Sequence, residues 1–399
     1  FYKLGYQNDF IYKNISLENP FFDTKDKKLP APGFSNDSLF NFFQNSKSFK
    51  CNYDIFGLAF WMMNRLEELF LEDKYKDKHG RFDFRHSHAY KFGYLSRPIV
   101  DEWLIFLSQL IKYVFPNCNL KKSKFKISPT HDVDNPRKYS LISKKRILKN
   151  SLRTLFINPF EVFYFLFFRN LFVFKKLDPY DNFKWILSIS EKYNLKNEFY
   201  FMVSGLNWRF DTGYKINNPK ILKLIIELKE KGHNIGLHPS YDTDLDNFSL
   251  KQQSETLKNF FSKNQFSQDK IGSRMHYLRF FHPKTSYQCL ESQITYDSSL
   301  GYSAMPGFRC GTCREFILFD AVQNKTLELK ERPLILMESS LFSKETFKNY
   351  PNLNSLEIAL NLKNKCLEVD GEFLFLWHNC QLDTKYKRDI YEFLVRTCE

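Results

Sequence analysis

Residues 124–136 read Lys-Phe-Lys-Ile-Ser-Pro-Thr-His-Asp-Val-Asp-Asn-Pro, a strand-like run that leads into a turn with two acidic residues. Alternate side chains of an extended chain share a face, so we expect Asp132 and Asp134 to point together. Two adjacent carboxylates repel each other unless a cation or a raised pKa compensates them. A lone Asp-x-Asp is more often a capped turn, so the prediction of a binding site depends on further motifs.

The sequence around this turn alternates strand-like apolar runs with amphipathic helical stretches. Strands are predicted over 125–129, 198–204, 234–237, 273–281 and 372–377, and helices over 218–231 and 249–261. Such alternation is typical of parallel strands covered by helices, in an open sheet or a barrel. In both architectures the chemistry collects at the carboxyl ends of the strands.

Further polar side chains lie at these predicted strand ends. His238 follows a strand within a Pro-containing turn, where a neutral imidazole can bind a metal. Arg274 and His276 share one face of the next predicted strand, and Arg279 takes the other face unless a bulge intervenes. A buried apolar strand delivers His378 at its end, a position suited to a general acid or base.

The chain of 399 residues exceeds the usual size of one domain. We predict a smaller N-terminal α+β lobe over 1–120, with helices over 54–68 and from near Pro98. Residues 121–399 form the larger α/β region, with an apolar insertion at about 140–176. The sequence thus predicts two domains, and the motifs that carry chemistry all fall in the second.

The apolar stretch 155–174 is about twenty residues long, which is the length that would span a bilayer. Glu161, Arg169 and the early Pro159 argue against a span. The preceding stretch 137–153 is basic and has no acidic residue, as expected of a segment that rests on anionic lipid. Two interpretations stay open: an interfacial hairpin and an insertion covered by the barrel.

Cys310 and Cys313 form the one close pair among the eight cysteines. No second pair accompanies them, so the sequence does not favour a four-thiolate zinc site. We expect ordinary thiols in a reducing compartment. A reducing compartment favours a cytoplasmic protein. The basic and apolar stretches over 137–174 favour its association with the inner face of the membrane.

Taken together, the motifs resemble those of the NodB-homology polysaccharide deacetylases, in order from about Lys124 to the C-terminus. The spacing of the acidic pair is that of the subgroup whose first motif reads Asp-Val-Asp. The resemblance implies a distorted (β/α) barrel of the NodB-homology type. It also implies that Asp132 is the catalytic base and that Asp134 and His238 bind a metal. His378 matches the histidine that protonates the leaving amine.

One motif departs from the family pattern. The second motif of these deacetylases usually supplies two histidines four residues apart, whereas here Asp242 stands at the fourth position after His238. Either Asp242 replaces the imidazole, or His276 reaches the metal from the neighbouring strand. The arginine that holds the base in this family matches Arg279 or Arg274, and we expect Arg279 to be the catalytic one.

Other segments extend the resemblance. Residues 296–302 and 307–312 resemble the fourth motif and the Gly-Phe-Arg stretch of cell-surface glycan deacetylases, and the first lobe resembles the uncharacterised domain that precedes such enzymes. The residues expected to bind the substrate are Tyr241, Arg274, Arg309 and Trp377.

The resemblance implies a metal-dependent carbohydrate N-deacetylase of a bacterial surface glycan, with a divalent metal, zinc foremost, as its cofactor. Because the second histidine is missing, the alternative is a non-catalytic glycan-binding or assembly protein on the same fold. The net charge of +14 implies an anionic partner, but no nucleic-acid-binding motif is present. We expect an acetylated glycan and an anionic membrane surface as partners, and no nucleic acid.

Overall fold

A computed structural model describes residues 21–24, 27–30, 40–42, 49–51, 55–121, 123–138, 178–203, 209–211, 214–243 and 247–396. The predicted apolar insertion at about 140–176 lies outside these residues. The chain divides into two compact units. Unit 1 comprises Phe1–Lys126, Phe280–Ser286 and Ser299–Leu374, and unit 2 comprises Ile127–Arg279, Tyr287–Ser298 and Phe375–Glu399. The sequence predicts one boundary near residue 120, whereas unit 1 also takes in two later segments.

The strands of the described residues are numbered β1 to β13 in chain order. They are Phe21–Thr24, Lys27–Pro30, Phe40–Phe42, Phe49–Cys51, Lys126–Val133, Glu198–Phe201, Asn234–Leu237, Gly272–Ser273, Tyr296–Asp297, Phe316–Asp320, Lys325–Glu331, Leu336–Met337 and Glu372–Leu376.

The α-helices of the same residues are numbered α1 to α11. They are Ile55–Met63, His88–Lys91, Ile99–Val114, Phe183–Lys192, Pro219–Glu230, Asn247–Lys263, Lys284–Glu291, Glu338–Leu341, Lys344–Asn349, Ser355–Glu368 and Lys385–Val395. None of the described helices has both the length and the apolar composition needed to cross a membrane.

Unit 2 is built around a sheet in which β9, β8, β7, β6 and β5 lie side by side, and it also contains the end of β13, Phe375 and Leu376. The strands from β5 to β9 are parallel, and their register aligns one row of residues, namely Val133, Phe201, Leu237, Ser273 and Asp297. The carboxyl ends of β5 to β9 therefore lie at one edge. Helices between the strands confirm the predicted α/β class and barrel type.

Local sequence explains why α5 and its flanking strands form. The Asn218 side chain accepts a hydrogen bond from the Lys220 N–H, and Pro219 occupies the first helical turn, where its missing N–H is harmless. Gly232, with a φ of 79°, follows the helix and allows the turn into β7. Gly236 lies on that strand because a Cβ there would approach the Tyr200 ring to 2.5 Å.

The predicted strand over 273–281 is wrong beyond its first residue. β8 ends at Ser273, and a 3-10 turn occupies His276–Leu278. Tyr277 and Leu278 both have positive φ values, 60° and 56°, and the Leu278 N–H donates to the Met275 carbonyl. This turn breaks the alternation on which the predicted faces of Arg274 and Arg279 rested.

Unit 1 has its own apolar core, in which α1 packs against α3 with buried side chains such as Trp61 and Trp103. The predicted helix over 54–68 ends at Met63, and Arg65 adopts a left-handed conformation. Cys310 and Cys313 are buried free thiols of this unit. Burial raises the pKa of the Cys310 thiol, which keeps it protonated.

Candidate active site

Two carboxylates from the end of β5 meet an imidazole from the end of β7. His238 Nε2 lies 3.1 Å from Asp134 Oδ1 and 3.8 Å from Asp132 Oδ2. His131, between Thr130 and Asp132 in sequence, turns away: its Nδ1 bonds the Trp377 carbonyl and its ring stacks on Phe199. Both carboxylates thus face the same imidazole, because alternate residues of an extended chain share a face.

His238 is held so that one ring nitrogen faces the carboxylates. Its Nδ1 lies 2.5 Å from the backbone carbonyl of Arg274, a group that only accepts hydrogen bonds. The proton of the neutral ring therefore resides on Nδ1, and Nε2 carries the lone pair. Metal-binding histidines in proteins are commonly oriented in this way: the ring nitrogen that does not face the metal donates a hydrogen bond to a carbonyl or carboxylate.

His276 approaches Asp134 from the 3-10 turn after β8. Its Nε2 lies 3.7 Å from Asp134 Oδ2, and its Nδ1 lies 2.9 Å from Asp211 Oδ1. Asp211 is fully buried and also accepts a hydrogen bond of 2.8 Å from the Tyr241 N–H. The carboxylate of Asp211 thus orients His276 as the Arg274 carbonyl orients His238.

Asp134, His238 and His276 satisfy the geometric requirement of a cation site. One ligand atom from each lies within 4.8 Å of the others, and Asp242 is not a member of this group. Asp132 Oδ1, Asp134 Oδ1 and His238 Nε2 are buried without a hydrogen bond partner in the structure. Buried polar atoms are nearly always paired, so this concentration of unpaired acceptors fits a bound cation. One carboxylate and two imidazoles suit zinc and other divalent ions of similar chemistry.

The electrostatics of the cluster also favour a cation. Burial raises the pKa of Asp134, but the positive charge and the hydrogen bond of His276 outweigh it and hold the pKa well below its usual value. Burial lowers the pKa of His276, yet Asp134 and Asp211 raise it to about 9. A proton on His276 therefore balances Asp134 when no cation is bound. A divalent ion binds the deprotonated ring and would replace that proton.

Arg274, rather than Arg279, faces Asp132. Its Nη1 lies 3.9 Å from Asp132 Oδ1, and its Nη2 donates to the hydroxyls of Thr130 and Ser298. The fully buried side chain leaves Nε and Nη1 without hydrogen bond partners. Arg279 instead places its guanidinium 4.2 Å from the ring centroid of Tyr241. The structure thus places Arg274 beside Asp132 and Arg279 beside Tyr241, because β8 ends before the predicted face alternation begins.

His378 follows β13 and reaches the other oxygen of Asp134. Its Nε2 lies 3.6 Å from Asp134 Oδ2, and its side chain is 17% exposed, against 1% for His238. β13 is tied to β5 next to the acidic pair, because the Trp377 N–H donates to the Thr130 carbonyl. Because its side chain is partly exposed, His378 is accessible to a molecule that enters from solvent.

Comparisons with known proteins match the first part of the chain to a family model. Residues 1–116 fit a family described as being of unknown function, DUF7033. No curated protein matches the chain.

Solved structures resemble the chain at low sequence identity. A Mycobacterium smegmatis protein classed as a polysaccharide deacetylase is 14% identical, with a TM-score of 0.43, over 70% of this chain and 85% of that chain. The Puue allantoinase is 10% identical, with a TM-score of 0.39, over 68% and 83%. A Bordetella bronchiseptica protein classed as a polysaccharide deacetylase involved in O-antigen biosynthesis is 11% identical, with a TM-score of 0.29, over 71% and 86%. We base the function proposed below on the site itself.

The residues expected to bind the substrate take several positions. Trp377 is fully buried and packs against Tyr391, so its side chain belongs to the core of unit 2. Arg309 lies in unit 1, where it is 3% exposed and donates from Nε and Nη2 to the Glu68 carboxylate. Tyr241 lies in unit 2 beside Arg279 and His276. The side chains of Trp377 and Arg309 are thus occupied by packing and by an ion pair, respectively.

Asp211 and Tyr214 contact the site but are not evident from the sequence. The Tyr214 hydroxyl donates to the Val133 carbonyl at 2.7 Å and accepts from the Met202 N–H at 2.9 Å. It therefore bridges β5 and β6 beyond their last residue pair, Val133 and Phe201. Both residues lie in the connection after β6, whose mixture of aromatic and charged residues is the one signal that could have drawn attention to them.

Proposed function

We propose that the chain is a metal-dependent hydrolase that removes N-acetyl groups from amino sugars of a bacterial surface polysaccharide or its lipid-linked precursor. The observation that carries this proposal is the convergence of Asp134, His238 and His276, with unpaired acceptor atoms, beside the second carboxylate of Asp132. The motifs that resemble those of polysaccharide deacetylases supply the substrate class.

Asp134, His238 and His276 would hold the divalent ion, with zinc the best match to their donors. When bound, such an ion polarises the acetyl carbonyl and lowers the pKa of a water molecule. Asp211 and the Arg274 carbonyl keep the two imidazoles in the orientation that binding requires.

Asp132 acts as the general base in this proposal. Its carboxylate lies 3.8 Å from His238 Nε2, close to the ligands but outside their group, so it can take a proton from the attacking water. Arg274 is fully buried, and its Nη1, 3.9 Å from Asp132 Oδ1, restrains the carboxylate. His378 then donates a proton to the departing sugar amine, for which its partial exposure is suited.

Release of acetate from a panel of N-acetylated glycans, with several divalent metals added in turn, tests the proposal. We expect Asp132→Asn to lower turnover by about 10²–10⁴-fold while metal content is preserved, since it removes only the base. We expect His238→Ala to lose both the metal and the activity. Asp242→Asn is the matched control and should retain both.

Two outcomes would contradict the proposal. Full activity of Asp132→Asn on an acetylated amino sugar would remove the base from the mechanism. A purified protein that binds glycan but takes up no stoichiometric divalent ion would instead favour the non-catalytic glycan-binding alternative.

A further inference from the structure

An aromatic cluster adjoins the candidate metal site on the side of His276. The ring centroids of Tyr277 and His276 are 4.7 Å apart, and those of Tyr277 and Tyr241 are 5.2 Å apart at an interplanar angle of 89°. Phe210 stacks on Tyr241 at 4.1 Å and lies 5.7 Å from Tyr277. Tyr277 and Tyr241 therefore contact one proposed metal ligand, His276, and Phe210 packs against both of these rings.

Within this cluster, Tyr241 is a supporting ring. Phe210 lies over its face at 4.1 Å and the Arg279 guanidinium lies 4.2 Å from the same centroid. Two groups at that distance cannot occupy one face, so Tyr241 is covered on both sides and is only 8% exposed. Its perpendicular contact with Tyr277 therefore uses the edge of Tyr241 against a face of Tyr277.

Tyr277 is the most exposed ring of the cluster. It is 37% exposed, although three aromatic side chains surround it. Its edge-on neighbours fix the plane of the ring without covering all of it. An oriented and partly exposed ring beside a buried polar site is the usual construction of a small-molecule pocket wall.

The backbone at Tyr277 is strained in a way that favours a functional role. Tyr277 and Leu278 both lie in the left-handed region, with φ values of 60° and 56°. Asparagine or glycine would adopt this conformation more readily than tyrosine. Strained residues of this kind cluster at ligand sites, where the surrounding structure holds them in place. The chain thus retains an aromatic ring at a position whose backbone disfavours it.

We propose that Tyr277 forms a stacking subsite for a pyranose ring of the glycan, adjacent to the metal-binding residues. The C–H groups of a pyranose face pack on the part of the Tyr277 ring that is open to solvent, while Tyr241 and Phe210 fix the orientation of that ring. The assignment of a sugar as ligand rests on the proposed deacetylase function. It adds a residue that sets affinity for the sugar and takes no part in the chemical step.

Binding of an N-acetylglucosamine trimer to zinc-loaded Asp132→Asn protein, measured by calorimetry, tests the subsite without turnover. We expect Tyr277→Asn, added to this protein, to weaken binding about tenfold, because the ring is lost while the left-handed backbone is retained. Tyr277→Phe keeps the ring and should bind as tightly as the parent. Thermal denaturation checks that Tyr277→Asn remains folded.

Activity measurements separate this inference from the proposed function. In protein that retains Asp132, Tyr277→Asn should raise KM about tenfold and leave kcat unchanged. This is the result expected when the lost contact stabilises the bound substrate and the transition state equally. Undiminished trimer binding by Tyr277→Asn, or no trimer binding by the parent, would overturn the subsite. If the ring proves necessary for binding while no acetate is released, the subsite stands and the deacetylase proposal fails.

Discussion

Two clusters of buried charged residues, one in each unit, differ in how completely their atoms are paired. In unit 1, Glu68 accepts hydrogen bonds from Arg309 at 3.0 and 2.5 Å and from Arg65 at 2.8 Å. In unit 2, Asp134 and His238 approach to 3.1 Å, yet Asp134 Oδ1 and His238 Nε2 remain without hydrogen bond partners. We call the fully paired set Arg65, Glu68 and Arg309 the closed cluster. We call the set Asp134, His238 and His276, which has unpaired acceptor atoms, the open cluster.

The difference is the one expected between a structural cluster and the metal site that we propose. Within the described part of the chain, no side-chain nitrogen or oxygen of Arg65, Glu68 or Arg309 is buried without a partner. The two arginines hold the pKa of Glu68 at about 2, despite its burial. Such a cluster needs no further ligand, whereas acceptors left open in a buried site call for a cation from solution. The following predictions test this contrast, beginning with the largest effect.

Zinc should stabilise the protein through the open cluster alone. At a free zinc concentration of 1,000 Kd, ligand binding to the folded state adds about 4 kcal/mol to the free energy of unfolding. We expect His238→Ala to abolish this gain and Glu68→Gln to retain it. Thermal denaturation with zinc and with a chelator measures the effect. If zinc leaves the melting temperature of the parent protein unchanged, the open cluster is not a metal site.

Breaking the closed cluster should destabilise the protein without any metal. Glu68→Gln leaves the guanidinium groups of Arg65 and Arg309 buried with reduced compensation, which costs about 3–5 kcal/mol. Urea denaturation at pH 7 measures the loss. Glu315→Gln is the matched control, because Glu315 and its partner Lys330 are 39% and 43% exposed and their pair should contribute less than about 1 kcal/mol.

The contribution of Glu68 should also disappear in acid. Burial raises its pKa, but Arg309 and Arg65 outweigh burial and lower the pKa from 4.5 to about 2. A lowered folded-state pKa gives stability that is complete above pH 4.5 and is lost as pH falls towards 2. The shift corresponds to about 3 kcal/mol. The difference in unfolding free energy between the parent and Glu68→Gln should therefore shrink over this range, and a constant difference would contradict the prediction.

The sequence predicts the part of the site that depends on strand ends. Asp132 and Asp134 share a face by simple alternation, and the carboxyl end of β7 brings His238 to them because the strands are parallel. His378 arrives in the same way from β13. These positions follow from local periodicity together with one general property of α/β sheets.

The remaining contacts depend on turns and on long-range pairing that local patterns do not encode. His276 reaches Asp134 from a 3-10 turn that looked like a continuing strand, and Asp211 comes from a loop. The same turn places Arg274 beside Asp132 and Arg279 beside Tyr241, an arrangement that strand alternation does not predict. In unit 1, Glu68 pairs with Arg309 across 241 residues of sequence, which no short window can reveal.

Asp211 and Asp242 offer a sharper test of the open cluster. Asp211→Asn replaces the carboxylate that accepts from His276 Nδ1, and loss of such a partner typically lowers metal affinity about 10–100-fold. Asp242→Asn should leave affinity unchanged, because Asp242 is outside the group of ligand atoms. Zinc titration against a competing chelator measures both. Loss of affinity in Asp242→Asn alone would assign the third ligand to Asp242 instead of His276.

The smallest expected effect concerns Tyr214, whose hydroxyl joins the ends of β5 and β6. Tyr214→Phe leaves the Met202 N–H and the Val133 carbonyl buried without this bridge, which costs about 1–3 kcal/mol. Tyr193→Phe is the control in the same unit. Its hydroxyl bonds Glu392 at a half-buried position, where water can replace it.

Tyr214 also separates support of the strand end from support of the ligands. Val133 lies between Asp132 and Asp134, so loosening its carbonyl should disturb the proposed base and one proposed ligand together, whereas Asp211 contacts the proposed ligand His276 through its ring nitrogen. We therefore expect Tyr214→Phe to lower turnover more than zinc affinity, and Asp211→Asn to lower zinc affinity first. Equal losses of both quantities in the two variants would mean that the two carboxylates and the imidazoles respond as one rigid group.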